Sequence, residues 1–234
     1  MEAQFKYLEY LSPESMYYKK PKVSDVEEFY VEDLDKNWFI NKNDLFWTMY
    51  SIPENEMITQ GFKIHVSTVY EEAQQTLNIV SKLLIKLNIP FKHVNNKRSL
   101  LSMYSKHGSR ISAGKFITIY PCQEEFLPTL EELYISLKDF EKGPYILTDK
   151  QYKNSNIYYR YGAFKKIEDK DGQLCIADPE DNLIPDVRAA KFSLPEFVTL
   201  PIELQQSDTI KNTLPVESPL KKYKIQNRKS YKIF

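Results

Sequence analysis

The sequence lacks the short motifs that identify several common enzyme classes. It has only six glycines among 234 residues, and it contains no glycine-rich phosphate loop of the GxGxxG or GxxxxGK[ST] type, no HExxH, no CxxC pair and no GxSxG. A loop that cradles phosphate with backbone N–H groups is therefore hard to build. Any recognition of phosphate here would have to come from side chains, chiefly arginine and lysine.

Cysteines and long apolar stretches are scarce as well. The two cysteines, Cys122 and Cys175, have no metal-like spacing, so we expect no metal site. A reducing cytosol is the simplest interpretation of so few thiols, although a disulfide between them stays open. No stretch approaches the roughly 18 apolar residues of a membrane span, and the N-terminus has no apolar signal-peptide core. We therefore expect a cytoplasmic protein without a membrane partner.

Negative charge is missing from the middle of the chain. Residues 73–123 contain no aspartate or glutamate, but they hold eight lysine or arginine residues and two histidines. Residues 24–35 show the reverse, with six acidic residues and no lysine or arginine. A cationic middle suits an anionic ligand. Charge alone leaves a second interpretation open, in which this region is an ordinary solvated basic surface.

Hydrophobic periodicity predicts strands and helices from Gly61 onward. The predicted strands are KIHVSTV (63–69), PFKHV (90–94), GKFITIYP (114–121) and NIYYRYGAF (156–164), and the predicted helices span residues 70–88, 97–108 and 124–140. Because they do not follow a strict βαβ repeat, we predict an α+β fold with a mixed or antiparallel sheet and flanking helices.

Composition divides the chain into three regions. We predict an aromatic and acidic N-terminal lobe at residues 1–60, packed on a core at residues 61–205. From residue 206 to residue 234 the chain is polar and then basic, which is typical of a linker.

Basic side chains recur on the predicted strands, where core packing alone would not require them. Lys63 and His65 alternate onto the same strand face, with Ile64 and Val66 pointing the other way. The candidate site residues are Lys63, His65, Lys92, Arg110, Lys115, Tyr120 and Arg160. Each alone has an ordinary structural explanation, but their shared sign and the lack of nearby acids favour a common anionic ligand.

Five blocks of the sequence together carry a family resemblance. QGFKIHVS, IPFKHV, SAGKFITIYP, GPYILTD and IYYRYGAF occur in the family's order between about residue 60 and residue 164, and residues 181–202 are similar to the family's closing segment. The chain resembles the N-terminal lyase domain of class III or class IV lanthipeptide synthetases, which is related to bacterial effector phosphothreonine lyases. The resemblance does not separate the two classes.

The resemblance implies an activity and a fold. The family eliminates phosphate from phosphoserine or phosphothreonine in a precursor peptide with a leader, leaving dehydroalanine or dehydrobutyrine, and needs no cofactor and no metal. The implied fold is that of a phosphothreonine lyase. The implied partners are this precursor and the kinase and cyclase domains of a longer chain, toward which residues 206–234 would lead.

The resemblance also implies residue roles. Lys92 is the expected base for the α-proton, and His65 is the expected acid for the departing phosphate. Lys63 would stabilise developing charge, and Tyr120 would donate a hydrogen bond to the phosphate or the enolate oxygen. Arg110 and Arg160 would bind the phosphate as bidentate forks.

The same phosphate site includes Lys115, which would add positive charge. Lys97 and Arg98 lie near Lys92 in the sequence, and Lys97 competes with Lys92 for the role of base.

Other functions remain open from the sequence. A non-catalytic phosphopeptide-binding module would use the same cations without turnover. Basic and aromatic residues on strands are also compatible with binding of single-stranded RNA, but no RNA-recognition motif is present, so we expect no nucleic-acid partner. The acidic N-terminal region is a possible docking surface for the leader, with an ordinary solvated face as the alternative.

Overall fold

The computed structural model describes residues 27–52, 58–105, 108–189 and 191–209, without the side chains of residues 206–209. The chain divides into two compact units, residues 1–198 and residues 199–234. In the first unit the described residues form nine strands: β1 (Phe39–Asn41), β2 (Trp47–Ser51), β3 (Gln60–Val66), β4 (Phe91–Val94), β5 (Ile117–Ile119), β6 (Lys150–Gln151), β7 (Ile157–Ala163), β8 (Cys175–Ala177) and β9 (Leu183–Pro185).

The helices of the first unit follow the predicted periodicity. They are α1 (Ala73–Leu87), α2 (Lys97–Tyr104) and α3 (Gln123–Leu137); α1 and α2 lie within the stretches predicted for them, and α3 begins one residue earlier than predicted. In α1 the buried residues include Ala73, Leu77, Val80 and Leu84, which form one stripe along the helix. The second unit contributes helix α4 (Ile202–Thr209) to the described residues.

Seven strands form one sheet in the order β1-β2-β4-β5-β3-β7-β6, and every pairing in it is antiparallel. Strands β8 and β9 form a separate antiparallel pair. The predicted α+β class with an antiparallel sheet and flanking helices is therefore confirmed. The long strands β3 and β7 lie side by side, with β3 between β5 and β7.

One face of the sheet is apolar because strand residues alternate between faces. Ile64, Val66, Ile117 and Ile119 are fully buried on it. The ring of Phe62 lies on the same face and stacks on Phe126 of α3, with centroids 4.6 Å apart. Helix α3 therefore packs on this face, and Lys63 and His65 of β3 point to the other.

Part of the predicted N-terminal lobe contributes strands to the central sheet. Strands β1 and β2 come from the first 60 residues, and β2 pairs directly with β4. Residues 1–26 and 53–57 of the lobe, and residues 210–234 of the predicted linker, lie outside the described residues. The division of the chain at residues 60 and 205 stays a prediction.

Candidate active site

Four of the predicted basic residues lie on strands and on the face of the sheet opposite to α3. In the antiparallel register Lys63 faces Arg160, while Thr118 is opposite both His65 and Lys92. Directly opposite residues in an antiparallel pair project from the same face, with Cβ atoms about 4.5–5.5 Å apart. Strand β4 therefore delivers Lys92, β3 delivers His65 and Lys63, and β7 delivers Arg160 to one surface, with Thr118 of β5 between them.

Lys63 lies at the centre of this surface and is buried. Burial first, and then the positive charges of Arg160, Arg188 and Lys92, hold the pKa of its ammonium group well below 10.5. Its Nζ atom is 5.8 Å from the ring centroid of Tyr120. A buried lysine among other cations is easily deprotonated, so Lys63 can donate or accept a hydrogen bond near neutral pH.

His65 belongs to a buried cluster with Asp149 and Lys115. Asp149 Oδ2 bonds His65 Nδ1, and its Oδ1 is 3.2 Å from Lys115 Nζ and accepts a 2.6 Å bond from the Thr148 hydroxyl. The Asp149 side chain is completely buried. Burial alone would raise the pKa of Asp149, but the charges and hydrogen bonds of His65 and Lys115 outweigh it and hold this pKa below its usual range. The carboxylate is therefore ionised, and the hydrogen of the bond lies on Nδ1.

The backbone at Gly143 packs closely against the residues that follow β3, and this contact positions the segment that carries Asp149. A Cβ atom added at Gly143 would stand 2.4 Å from the backbone nitrogen of Thr68. The hydroxyl of Ser67 donates a 2.7 Å hydrogen bond to the carbonyl of Pro144. Only glycine fits at residue 143 without a shift, and the segment that follows it carries Asp149 to the site.

Burial also sets the charge of the other two groups in this cluster. It lowers the pKa of His65 to about 3, although Asp149 opposes the change. It lowers the pKa of Lys115 to about 8, again against the attraction of Asp149. In the absence of a ligand His65 is therefore neutral at pH 7, with a hydrogen on Nδ1 and a free lone pair on Nε2.

A second buried carboxylate, Asp186, holds two guanidinium groups. Its Oδ1 accepts a 2.5 Å bond from Arg160 Nη2, and its Oδ2 is 3.2 Å from Arg188 Nη2. Within the described part of the chain the Nε atom of Arg188 is buried and has no hydrogen-bond partner. Gly162 makes room for this arrangement, because a Cβ there would lie 2.6 Å from Arg160 Nη1.

Lys92 and Tyr120 complete the surface. Lys92 lies with its Nζ 4.5 Å from the ring centroid of Trp47, and burial lowers its pKa to about 8, with Asp44 opposing and Arg188 assisting. Burial raises the pKa of Tyr120 above its ordinary value of 10. The phenol of Tyr120 therefore keeps its proton and can act as a hydrogen-bond donor.

The structure brings six of the seven predicted site residues to this surface. Arg110 is the exception, since it lies on an exposed turn between α2 and β5. Lys97, the competitor of Lys92, starts α2 and is paired with Glu27, with Nζ 2.5 Å from Oε2. Its ammonium group is therefore engaged away from the strand residues, whereas Lys92 lies among them.

Four residues of the site were missed by the sequence analysis: Trp47, Asp149, Asp186 and Arg188. Asp149 closes the block GPYILTD, and the other two charged residues lie in the segment IPDVR (184–188). Part of the signal for the two aspartates was available, because buried cations need counter-charges, and Asp149 is the one acid in the five blocks that carry the resemblance, while Asp186 lies in the similar closing segment. Trp47 gave no such signal, since its position depends on the pairing of β2 with β4.

Two further properties of the described residues concern metal sites and membrane spans. No three histidine, cysteine, aspartate or glutamate residues lie together there in a group suited to a metal ion. None of the helices in the described part is long and apolar enough to span a membrane.

The chain is similar in sequence to a bacterial synthase. It is 31% identical over 163 residues to the probable SapB synthase of Streptomyces coelicolor, a match that covers 68% of this chain and 18% of the synthase. The chain thus spans less than a fifth of the length of that relative.

Similar solved structures include bacterial effector proteins. One is the VirA (SpvC) phosphothreonine lyase effector of Chromobacterium violaceum, 20% identical, with a TM-score of 0.42 and coverage of 68% of this chain and 84% of that one. Another is the phosphothreonine lyase OspF of Shigella flexneri, 17% identical, with a TM-score of 0.41 and coverage of 68% and 87%.

A family model described as the RamC N-terminal domain matches residues 27–213. This match spans most of the chain and confirms the relationship to lanthipeptide synthetases that the sequence blocks predicted. The chain belongs to the family of RamC N-terminal domains.

Proposed function

We propose that this chain eliminates phosphate from phosphoserine or phosphothreonine in a lanthipeptide precursor, giving dehydroalanine or dehydrobutyrine. The observation that carries the proposal is the presence of Lys63, His65, Lys92 and Arg160 on one face of the sheet, with Arg188 joined to Arg160 through Asp186. A phosphorylated side chain is a compact dianion, and these groups form a matching cationic surface.

The first step is proton abstraction at Cα. Lys92 takes this proton, and its pKa of about 8 means that about a tenth of its amines are free base at pH 7. The negative charge that develops on the neighbouring carbonyl oxygen is stabilised by hydrogen bonds from Lys63 and Tyr120. The electron pair of the broken Cα–H bond forms the double bond between Cα and Cβ.

The second step is departure of the phosphate. The Cβ–O bond breaks, its electron pair goes to the phosphate oxygen, and inorganic phosphate leaves. Arg160 and Arg188 hold the phosphate oxygens through guanidinium N–H groups, and Lys115 adds positive charge. The role of Arg110 in phosphate binding rests on the family resemblance alone and stays a prediction.

His65 is the proposed acid, and it needs the ligand to take up its second proton. The bound phosphate dianion opposes the burial that lowers the pKa of His65, so that the imidazolium form becomes accessible. Asp149 fixes Nδ1–H and stabilises the added charge. The new hydrogen then lies on Nε2, from which His65 can donate it to the leaving oxygen.

A phosphopeptide-binding module is the second candidate, and the lowered pKa values of Lys63 and Lys92 favour the enzyme over it. A protein that only binds phosphate gains most from lysines that stay fully charged at neutral pH. Here burial and neighbouring cations shift Lys63 and Lys92 toward the neutral amine. A neutral amine can accept a proton, which a proton-transfer site needs, whereas a site that only binds phosphate would lose attraction for it.

The test uses synthetic peptides carrying phosphoserine or phosphothreonine. We expect mass spectrometry to show loss of phosphoric acid with appearance of a dehydro residue, and an equal amount of free phosphate. Lys92→Ala should abolish elimination and leave peptide binding largely intact, while Lys97→Ala is the matched control and should keep full activity. Binding of unchanged peptide by the unmodified protein would assign it to the phosphopeptide-binding class instead.

The physiological setting is part of the same proposal. The precursor would carry a leader peptide, and a kinase domain of the longer chain would phosphorylate its serine and threonine residues. A cyclase domain would then use the dehydro residues.

A further inference from the structure

The ring of Trp47 covers Lys92 from the neighbouring strand. In the antiparallel register Trp47 is opposite Val94 and Met49 is opposite Lys92, so the indole occupies the diagonal position on the same face. The ammonium nitrogen lies 4.5 Å from the ring centroid, well within the about 6 Å limit of a cation–π contact.

The start of β2 fixes the backbone of Trp47. Asp44 Oδ1 accepts hydrogen bonds from the backbone nitrogens of Phe46 and Trp47, at 2.8 Å and 3.1 Å. This turn begins β2 at Trp47, and the pairing with β4 then sets the face on which the ring lies. Trp47 itself is half-buried. The position of the indole therefore depends on the turn at Asp44 and on the pairing of β2 with β4, and neither involves the phosphate-binding residues.

We propose that Trp47 is a positioning residue for Lys92, and that its ring stabilises the positive charge that Lys92 gains when it takes the α-proton. This inference rests on the proposed elimination, since it assigns Trp47 to the base of that reaction. The π face interacts favourably with the ammonium form and has little interaction with the neutral amine. The contact is therefore stronger once the proton is transferred than before.

Three charged groups act on Lys92 besides the ring. Asp44, which precedes β2, favours the ammonium form, whereas Arg188, which follows β9, disfavours it. Lys63 on β3 disfavours it too when protonated, because the two lysines repel each other. These charges are unchanged when Trp47 is replaced, so a change in the titration of Lys92 reports on the ring.

Loss of the ring has opposite consequences below and above the pKa of Lys92. Without the cation–π contact the pKa falls, and a shift of about one pH unit corresponds to about 1.4 kcal/mol, which is within the range of such contacts. More free base is then present at low pH. At high pH the lysine is already neutral, and the forming ammonium lacks its stabilising ring, so the rate falls about threefold for a half-transferred proton.

The activity experiment compares Trp47→Leu, Trp47→Phe and the unmodified chain over pH 6 to pH 10 on a phosphothreonine peptide. We expect the acid limb of kcat/KM to move down by about one unit in Trp47→Leu with a lower plateau. Trp47→Phe, which keeps an aromatic face, should lie between the two. Trp38→Phe is the control, because Trp38 lies on the other face against Phe91. A uniform loss at every pH, with no shift of the limb, would show that Trp47 is only structural.

A fluorescence titration tests the contact without using activity. The chain has two tryptophans, so Trp38→Phe leaves Trp47 as the sole indole. We expect its emission to titrate with a midpoint near 8, the pKa of Lys92, and this transition to vanish when Lys92→Gln is added. The same curve in both variants would overturn the proposal. If the transition is found but no peptide loses phosphate, the contact stands and the proposed elimination fails.

Discussion

Replacing Asp149 by asparagine removes the buried negative charge that Lys115 and His65 share. The carboxylate is fully buried, and Lys115 Nζ lies 3.2 Å from it. Asparagine has nearly the same shape and can still accept a hydrogen bond, so the change isolates the charge. We expect the free energy of unfolding at pH 7 to fall by about 3 kcal/mol, at the lower end of the about 3–5 kcal/mol that a trapped ion would cost.

The smaller value follows from the titration of Lys115. Its pKa in the folded protein is about 8 against an ordinary value of 10.5, and loss of Asp149 lowers it further. Once this pKa is below 7, Lys115 is neutral at pH 7. Its contribution to the loss of stability is then limited to the cost of deprotonating a group with a pKa of about 8 at pH 7, which is one pH unit or about 1.4 kcal/mol. The asparagine oxygen accepts the bond from His65, and its NH2 group donates to the Thr148 oxygen instead of accepting from it. Replacing these two charge-assisted bonds by neutral ones costs about 1 kcal/mol each.

This reasoning predicts how the deficit depends on pH. Stability rises with pH wherever the unfolded chain binds more protons than the folded one, by about 1.4 kcal/mol per unit for one group. For Lys115 that range starts near pH 8 in the unmodified protein and below pH 7 in Asp149→Asn. The deficit should therefore shrink by about 1.4 kcal/mol between pH 7 and pH 9.

Urea unfolding at both pH values measures the deficit, and Asp186→Asn is the matched control. Asp186 is also buried, but its ion-pair partners are the guanidinium groups of Arg160 and Arg188. Its charge acts on Lys63 more weakly than Asp149 acts on Lys115, so its deficit should vary less with pH. A deficit in Asp149→Asn that stays the same at both pH values would refute the coupling between Asp149 and Lys115.

Three further predictions concern single residues. Gly162→Ala should lower kcat/KM about 10- to 100-fold and also lower urea stability, because its Cβ displaces the Arg160 guanidinium from its buried pair with Asp186; unchanged kinetics would contradict this. The pKa of His65 is about 3 in the folded protein against an ordinary 6.5, so the free energy of unfolding decreases as pH falls through this window. His65→Gln removes this titration, so between pH 6.5 and pH 5 urea titrations should show a decrease about 2 kcal/mol smaller than in the unmodified protein. Arg188→Gln removes a cation beside Lys92 and should move the acid limb of kcat/KM to higher pH, while Arg188→Lys keeps the limb in place; equal limbs in all three proteins would argue against this coupling.

The sequence predicted the strands of the site because alternation and β-propensity agreed along them. Lys63 and His65 share a face, as their spacing required, and both Lys92 and Arg160 lie within predicted strands that place them on it. The order of the strands was beyond the sequence, since β5 lies between β3 and β4, and β7 lies on the other side of β3. Such pairings depend on contacts between distant segments, which local periodicity does not encode.

The electrostatics of the site was the least predictable part. An ordinary imidazole titrates near 6.5, which suggested His65 as a ready acid, but burial lowers its pKa to about 3. Burial depends on the segment that carries Asp149 over the end of β3, and nothing near His65 in the sequence indicates it. Lys92 illustrates the same limit, because its aromatic neighbour comes from a strand 45 residues earlier in the chain.

The pairing of β3 with β7 makes assembly of the cationic surface an all-or-none event. If β7 slipped by a single residue, Lys63 would face a tyrosine instead of Arg160, and Arg160 would turn toward α3 and the apolar core. Such a slip would place a guanidinium among isoleucines at a large energetic cost. Selection for a well-packed interior thus preserves the chemistry on the opposite side, and misregistered conformers are removed by their own instability.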